Sequence, residues 1–453
     1  MSSAGARLER LPLSGFHAKL LLIGGAGYAF DGLDSAIIAF VLPTLGSLWS
    51  IGGAKLGFIG SATYIGFFFG ALAAGTIGDR FGRRIVMMWA LALFCVASTF
   101  SALMTSYPAF LLCRIVAGIG TGAESAIIAP YLTEFVSARY RGAFTATLSG
   151  FFSFGFLTAA LMGNFLVPMG HDGWRWAVGL TGAPVLLLLW WRRALPESPR
   201  WLESAGYWQA AADVVEGIER RLRDRGYNLP QVRQMPSTDA PSTLSIGQRF
   251  AALCSPLHRR SLAVSWIAWF CLTFSYYAVF TWMPSFLMAR GMTMTHSFSF
   301  SIAIYAAQIP GYFSAAAAVE IIGRRTTIAV YLLGSVLAAS LLVISHSDGS
   351  VVGAAMLLSL FLNGAYAGLY AYTPELFPTT LRATGNGTAS AIGRIGAIIS
   401  PVLVGALMPI IGFAGVFALI TAVLLVGSTT VLFFGPRTEG LALEALSSQA
   451  ESH

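Results

Sequence analysis

The chain has 453 residues, of which 56% are hydrophobic and only 11% charged, and a net charge of +8. Soluble domains carry about 25% charged residues, so this composition excludes a soluble globular protein and predicts an all-α membrane protein. The positive charge would suit a nucleic-acid partner, but its placement along the chain assigns it to membrane topology instead.

Residues 1–17 are basic, and no cleavage site follows the apolar run after them, so the first span is expected to stay as a signal-anchor. Twelve apolar segments follow in order, at about 18–45, 55–78, 85–104, 108–130, 143–168, 174–193, 261–287, 296–318, 327–345, 350–373, 385–408 and 413–435. With the N-terminus in the cytoplasm, 23 of the 28 Lys and Arg fall on the inner side. Only Lys55, Arg175 and Arg290 fall outside, while Arg114 and Arg394 lie within spans. The positive-inside rule therefore predicts a multi-pass cell (inner) membrane protein with both termini cytoplasmic.

The first span holds Asp31 and Asp34, one helical turn apart and on the same face. Carboxylates at membrane depth cost several kcal/mol unless offset, so this pair is a functional candidate, with a proton relay as its usual form. At 1.5 Å per residue the acids lie roughly 20–24 Å from the inner face, and Arg114 of the fourth span about 21 Å from it. The three thus share a level. Glu124, about 24 Å from the outer face, is a second candidate proton site or a partner of Arg394. Gly118, Gly120 and Gly122 have a phosphate-loop spacing, but no strand precedes them, and small residues in a span favour close helix packing.

Gly78-Asp79-Arg80-Phe81-Gly82-Arg83-Arg84 joins spans two and three, and Val319-Glu320-Ile321-Ile322-Gly323-Arg324-Arg325 joins spans eight and nine, 241 positions later. Tyr131, Glu134 and Arg141 precede Tyr372, Glu375 and Arg382 by the same 241, as Pro43 precedes Pro284. One offset across four segments predicts two six-helix halves in parallel repeat, related by an axis along the membrane normal. The expected divisions are 1–193 for the first half, 194–260 for a cytoplasmic linker with an amphipathic helix, 261–435 for the second half and 436–453 for a tail. Asp79, Arg80, Arg83, Arg84, Glu320, Arg324 and Arg325 read as gating charges at the cytoplasmic surface. Glu134 with Arg141, and Glu375 with Arg382, are expected to form matching pairs that break and reform during transport.

Tyr276, Tyr277, Gln308, Asn363 and Tyr366 fall near mid-membrane on spans seven, eight and ten. Rings and amides with few charges suit a small planar ligand. Arg394, roughly 13 Å from the cytoplasmic side, could grip a carboxylate with both prongs or form a structural bridge.

These motifs resemble the major facilitator superfamily over nearly the whole chain. Pro196-Glu197-Ser198-Pro199-Arg200 is similar to the signature after helix six of sugar porters and metabolite:proton symporters, and Pro374-Glu375-Leu376-Phe377-Pro378 to the one after helix ten. Pro436-Arg437-Thr438-Glu439-Gly440 is an imperfect likeness of the family's Pro-Glu-Thr-Lys-Gly ending. Asp31-Gly32-x-Asp34 resembles the motif of aromatic acid:proton symporters, which implies that both acids act in transport. The glycine run with Glu124, Gly173-Trp174-Arg175 and Gly393-Arg394-Ile395-Gly396 look like nicotinate permeases. The hallmarks of hexose carriers are poorly matched, and Tyr276-Tyr277 stands where those carriers are rich in Gln and Asn. In the resembling sugar symporters a helix-one Asp pairs with a helix-four Arg for proton coupling, which carries that role to Asp34 and Arg114.

The resemblance thus implies a secondary active transporter taking up a small organic acid, aromatic or heteroaromatic, with protons. A proton-coupled sugar or polyol symporter, an export antiporter and a transporter-like sensor are the rivals. Cys95, Cys113, Cys254 and Cys271 have neither metal-ligand nor disulfide spacing, and the six His are scattered. There is no Walker motif or catalytic triad, so no enzyme, metal or cofactor is expected. The expected partners are a small molecule, protons and the lipid bilayer, without nucleic acid, and the expected state is a monomer.

Overall fold

The computed structural model describes residues 4–186, 195–231, 246–378 and 380–438. A bilayer offers no water to backbone amides, so a spanning segment must satisfy them internally, and apolar runs of this length do so as helices. After a short α1 (Ala4–Glu9) come α2 (Gly15–Trp49), α3 (Gly53–Phe81), α4 (Arg83–Leu103), α5 (Tyr107–Thr133), α6 (Ala138–Leu166) and α7 (Gly173–Gly179). Three helices outside the spans follow: α8 (Pro199–Ser204), α9 (Trp208–Asp224) and α10 (Ile246–Leu253). The last six are α11 (Arg259–Ala289), α12 (Met294–Ala306), α13 (Gln308–Ile322), α14 (Arg324–Ile344), α15 (Asp348–Tyr372) and α16 (Arg382–Thr429).

Among the described residues, ten stretches are long and apolar enough to cross a membrane. The last, Arg382–Phe434, has 53 residues and is broken at Gly412, whose φ of 65° no helix contains, so it is two spans. Helix α7 opens the remaining span, of which residues 187–194 fall outside the description. Residues 232–245 of the predicted 194–260 linker and 439–453 of the predicted 436–453 tail also lie outside it.

The chain divides into two compact units. One is Met1–Ile37, Ala62–Met162 and Leu166–Asp239, and the other is Ile38–Ser61, Gly163–Phe165 and Ala240–His453. In the first, the glycine stripe of α5 works as a packing surface. A Cβ on Gly118 would fall 2.1 Å from the Thr63 carbonyl oxygen, and one on Gly122 would fall 2.2 Å from that of Phe67. Helices α3 and α5 are therefore in backbone contact, which anchors Arg114 one turn before Gly118. Gly32, between the two acids of α2, similarly lies against the Phe152 carbonyl of α6. In the second unit, Gly53 abuts Gly405 and Gly57 abuts Pro401.

The expected cytoplasmic helix is α9, which buries Ala211, Val215, Ile218 and Leu222 at helical spacing. What covers it is the N-terminal stretch. Leu8 and Leu11 are buried in the same cluster, Arg7 holds Glu219 with both prongs at 2.8 and 3.1 Å, and Arg10 adds a third bond at 2.7 Å. Burial opposes charge on Glu219, yet Arg7 and Arg10 outweigh it and hold the carboxyl below its ordinary range.

Candidate functional site

Asp34 and Arg114 meet. Both side chains are fully buried, with Nη1 donating to Oδ1 at 2.8 Å and Nη2 to Oδ2 at 2.5 Å. Ser98 of α4 and Thr181, just after α7, also donate to Oδ1, at 3.0 and 2.9 Å. Thr63 of α3 accepts from Nη2 at 2.9 Å. Five elements thus converge on one ion pair, and every bond draws on a group that would be costly to leave unpaired in a low-dielectric interior. Ser98, Thr181 and Thr63 were not among the sequence candidates, because hydroxyls in spanning helices commonly bond their own backbone and give no signal of their own. Their depth, level with Asp34, is the one clue that would have found them.

Asp31 is buried one turn before Asp34. Glu124 lies ten residues beyond Arg114 on α5, about 15 Å along the helix, and so forms a separate locus. It is fully buried, and among the described residues neither of its carboxylate oxygens has a hydrogen-bond partner. A carboxyl at this depth persists only protonated or paired.

At the turns between α3 and α4 and between α13 and α14 the repeat appears in three dimensions. Gly82 (φ 96°) and Gly323 (φ 80°) make these turns alike, in a backbone region that L side chains avoid. Arg83 pairs with Glu134, and Arg324 pairs with Glu375 at 3.1 Å, while Asp79 and Glu320 back the same arginines from one turn before. The expected partners were Arg141 and Arg382. Arg141 instead bonds Glu9 at 3.1 Å and the Val136 carbonyl at 2.9 Å, because α1 occupies the space beside it. Glu134 also accepts from Ser198, and Glu197 accepts from the backbone N–H of Arg84 at 3.1 Å, which seats the Pro-Glu-Ser-Pro-Arg segment in this network. Burial pushes the Glu134 carboxyl above its ordinary range, against the opposing pull of Ser198 and Arg83. The hydroxyl of Tyr131 donates to the Pro196 carbonyl, as that of Tyr372 does to Pro436 at 2.7 Å. Arg80 lies over the Phe81 ring at the surface, and Arg325 donates to the carbonyls of Leu432 and Gly435.

In the second unit the aromatic candidates gather. The Tyr276 ring meets Tyr277 at 5.2 Å and Tyr366 at 5.0 Å, both edge to face. The Tyr277 hydroxyl is hydrogen-bonded to the half-buried Arg394 and to Tyr366. Gln308 joins through a 3.5 Å bond from the Tyr276 hydroxyl to its Oε1. Asn363 stands apart: its amide donates to the Ser359 carbonyl one turn back on its own helix. Three residues outside the sequence candidates complete the group: Phe280, 4.4 Å from Tyr276; Trp269; and Tyr370, 5.0 Å from Trp269. Trp269, Thr273, Tyr276 and Phe280 follow one another at four, three and four residues, the face periodicity that could have linked them. A guanidinium set among phenols can bind an anion, and the rings can stack on a planar body.

The family described as "Sugar (and other) transporter" matches residues 34–449. The chain belongs to this family. It is therefore an integral, multi-pass membrane transporter of the major facilitator fold, with twelve membrane-spanning helices in two six-helix halves. It is 34% identical over 446 residues to the niacin transporter NiaP of Acinetobacter baylyi, covering 97% of this chain and 99% of that one. Among solved structures, the xylose transporter XylE from E. coli in a partially occluded inward open conformation matches with a TM-score of 0.74 at 19% identity, over 95% of this chain and 100% of that one. A D-xylose-proton symporter matches with a TM-score of 0.73 at 20% identity, over 93% and 98% of the two chains. At such identities these structures bear on the fold alone.

Proposed function

We propose that this transporter takes up a small aromatic or heteroaromatic carboxylate together with protons. The observation that carries the reading is Arg394 bonded to Tyr277 within a cluster of aromatic rings, a site for a planar anion rather than a hydroxyl-rich solute. The name of the A. baylyi relative, a niacin transporter, supports it. In this reading Arg394 holds the carboxylate, and Tyr276, Tyr277 and Tyr366 line the ring. Asn363, turned back on its own helix, supports the backbone rather than the ligand.

Asp34 is the proton-coupling group, with Arg114 as the cation that must release it. Asp31 and Glu124 are the accessory acids. The Arg83–Glu134 and Arg324–Glu375 pairs, with Asp79, Glu320 and their neighbours, are gating charges, each weak enough singly to break within a cycle. The chain works as a monomer without catalytic chemistry, in the inner membrane, with both termini cytoplasmic. Its halves are residues 1–193 and 261–435, joined through 194–260 and ending in the tail 436–453.

Thermal shift of the purified protein against aromatic carboxylates, aliphatic acids and sugars at two pH values tests the reading. Stabilisation by aromatic carboxylates that changes with pH is the expected result. Stabilisation only by sugars or polyols would overturn it.

A further inference from the structure

The span that carries Gln308, Met294–Ile322, is loosened at one residue, Ala307, which keeps right-handed helical angles (φ −65°, ψ −13°). Helices α12 and α13 meet there, with Gln308 the first residue of the second. The cause is Pro310, which has no N–H to give the Ala306 carbonyl and crowds it with its ring. A proline in a spanning helix leaves the carbonyl four residues before it without its helical donor, a local loosening that neighbouring polar groups satisfy.

The Gln308 side chain is fully buried at this point. Its Oε1 accepts from Tyr276, and among the described residues its Nε2 has no partner. Buried amide donors are nearly always satisfied, so one left open beside an aromatic cluster is placed for a group that arrives with a ligand. From Gln308 the contacts run through Tyr276 and Tyr277 to Arg394. An anion-binding group thus stands at one end of the cluster and an open neutral donor at the other, with ring edges between them.

We infer that Gln308 Nε2 reads a hydrogen-bond acceptor in the substrate ring, so that the protein selects a pyridine-type carboxylate over a benzene carboxylate of the same shape. This rests on the aromatic-carboxylate reading above. The carboxylate on Arg394 is common to both ligands and cannot tell them apart. A ring nitrogen satisfies Nε2, whereas a C–H in its place leaves the donor buried and unpaired, and sites built to hydrogen-bond reject an analogue that lacks the partner atom.

The test is equilibrium binding of nicotinate, benzoate and N-methylnicotinate to purified wild-type protein at neutral pH, then of the first two to Gln308→Leu. Wild type is expected to bind nicotinate at least about tenfold more tightly than benzoate, and to lose that advantage for the N-methylated ring, whose nitrogen no longer accepts. Gln308→Leu is expected to bring nicotinate down to the level of benzoate while benzoate keeps its affinity. Equal wild-type affinity for nicotinate and benzoate, or an unchanged ratio in Gln308→Leu, would overturn the inference and leave the aromatic-carboxylate reading standing. No binding of either acid to wild type would overturn both. The wild-type comparison decides the matter even where Gln308→Leu fails to fold.

Discussion

Arg83 pairs with Glu134, and Arg324 pairs with Glu375, so the same ion pair recurs 241 positions apart at matching helix ends of both halves. Each arginine is also approached from one turn before, by Asp79 and by Glu320. A partly exposed pair contributes only about 0.2–1 kcal/mol, so neither is a major source of stability.

The pairs are expected to govern cycling instead. Glu134→Gln or Glu375→Gln should slow substrate uptake several-fold while the melting temperature of the purified protein moves by only a few degrees. The charge swap Arg324→Glu with Glu375→Arg should restore part of the rate. Uptake indifferent to all of these would remove the gating role.

The Asp34–Arg114 pair behaves differently because it is fully buried. Removing one partner of such a pair costs about 3–5 kcal/mol, since the other charge is left without compensation. Asp34→Asn should lower thermal stability clearly and abolish proton-driven accumulation, while exchange of substrate across the membrane persists. Arg114→Lys should fail nearly as badly, because an ammonium cannot replace a two-pronged contact. Accumulation against a gradient in Asp34→Asn would contradict the assignment.

Arg394→Ala should weaken carboxylate binding by roughly 10–100-fold, the worth of one charge-assisted hydrogen bond. The neutral amide of the same ring should lose far less. Isothermal titration with the acid and the amide separates the two, and equal losses would make Arg394 structural.

The N-terminal strap has a pH signature. Glu219 is held below its ordinary range in the folded protein, so its contribution is complete above the normal glutamate range and fades as pH falls through the depressed folded value. Glu219→Gln should loosen α1 from α9, read as faster amide exchange over Ala4–Glu9 and Trp208–Asp224. The same loosening should appear in wild type only on acidification. Protection that is unchanged in Glu219→Gln would show that Leu8 and Leu11 hold the strap without the charges.

Much of the fold was legible because spans, charge placement and the 241-residue offset are read along one dimension. At 1.5 Å per residue along their spans, Asp34 and Arg114 fall at one level from the sequence alone. Partner choice was less legible. Glu134 has Arg83 and Arg141 at hand in the motif, and what decides between them is α1, a short helix whose Glu9 takes Arg141 from far away in sequence. Likewise Ser98 and Thr181 join Asp34 from α4 and the end of α7, and hydroxyls on apolar helices carry no periodic mark. The aromatic cluster lies between these cases: Tyr276, Tyr277 and Tyr366 are polar rings at mid-depth, whereas nothing in the sequence separates Trp269 and Phe280 from apolar core.

The most direct test of proton-coupled carboxylate uptake is accumulation of labelled nicotinate in proteoliposomes with an imposed pH gradient, acidic outside, and the membrane potential clamped. The account predicts transient accumulation above equilibrium in wild type, accompanied by alkalinisation of the outer medium, and neither signal in Asp34→Asn. Wild-type uptake that reaches only equilibrium and ignores the pH gradient would contradict it.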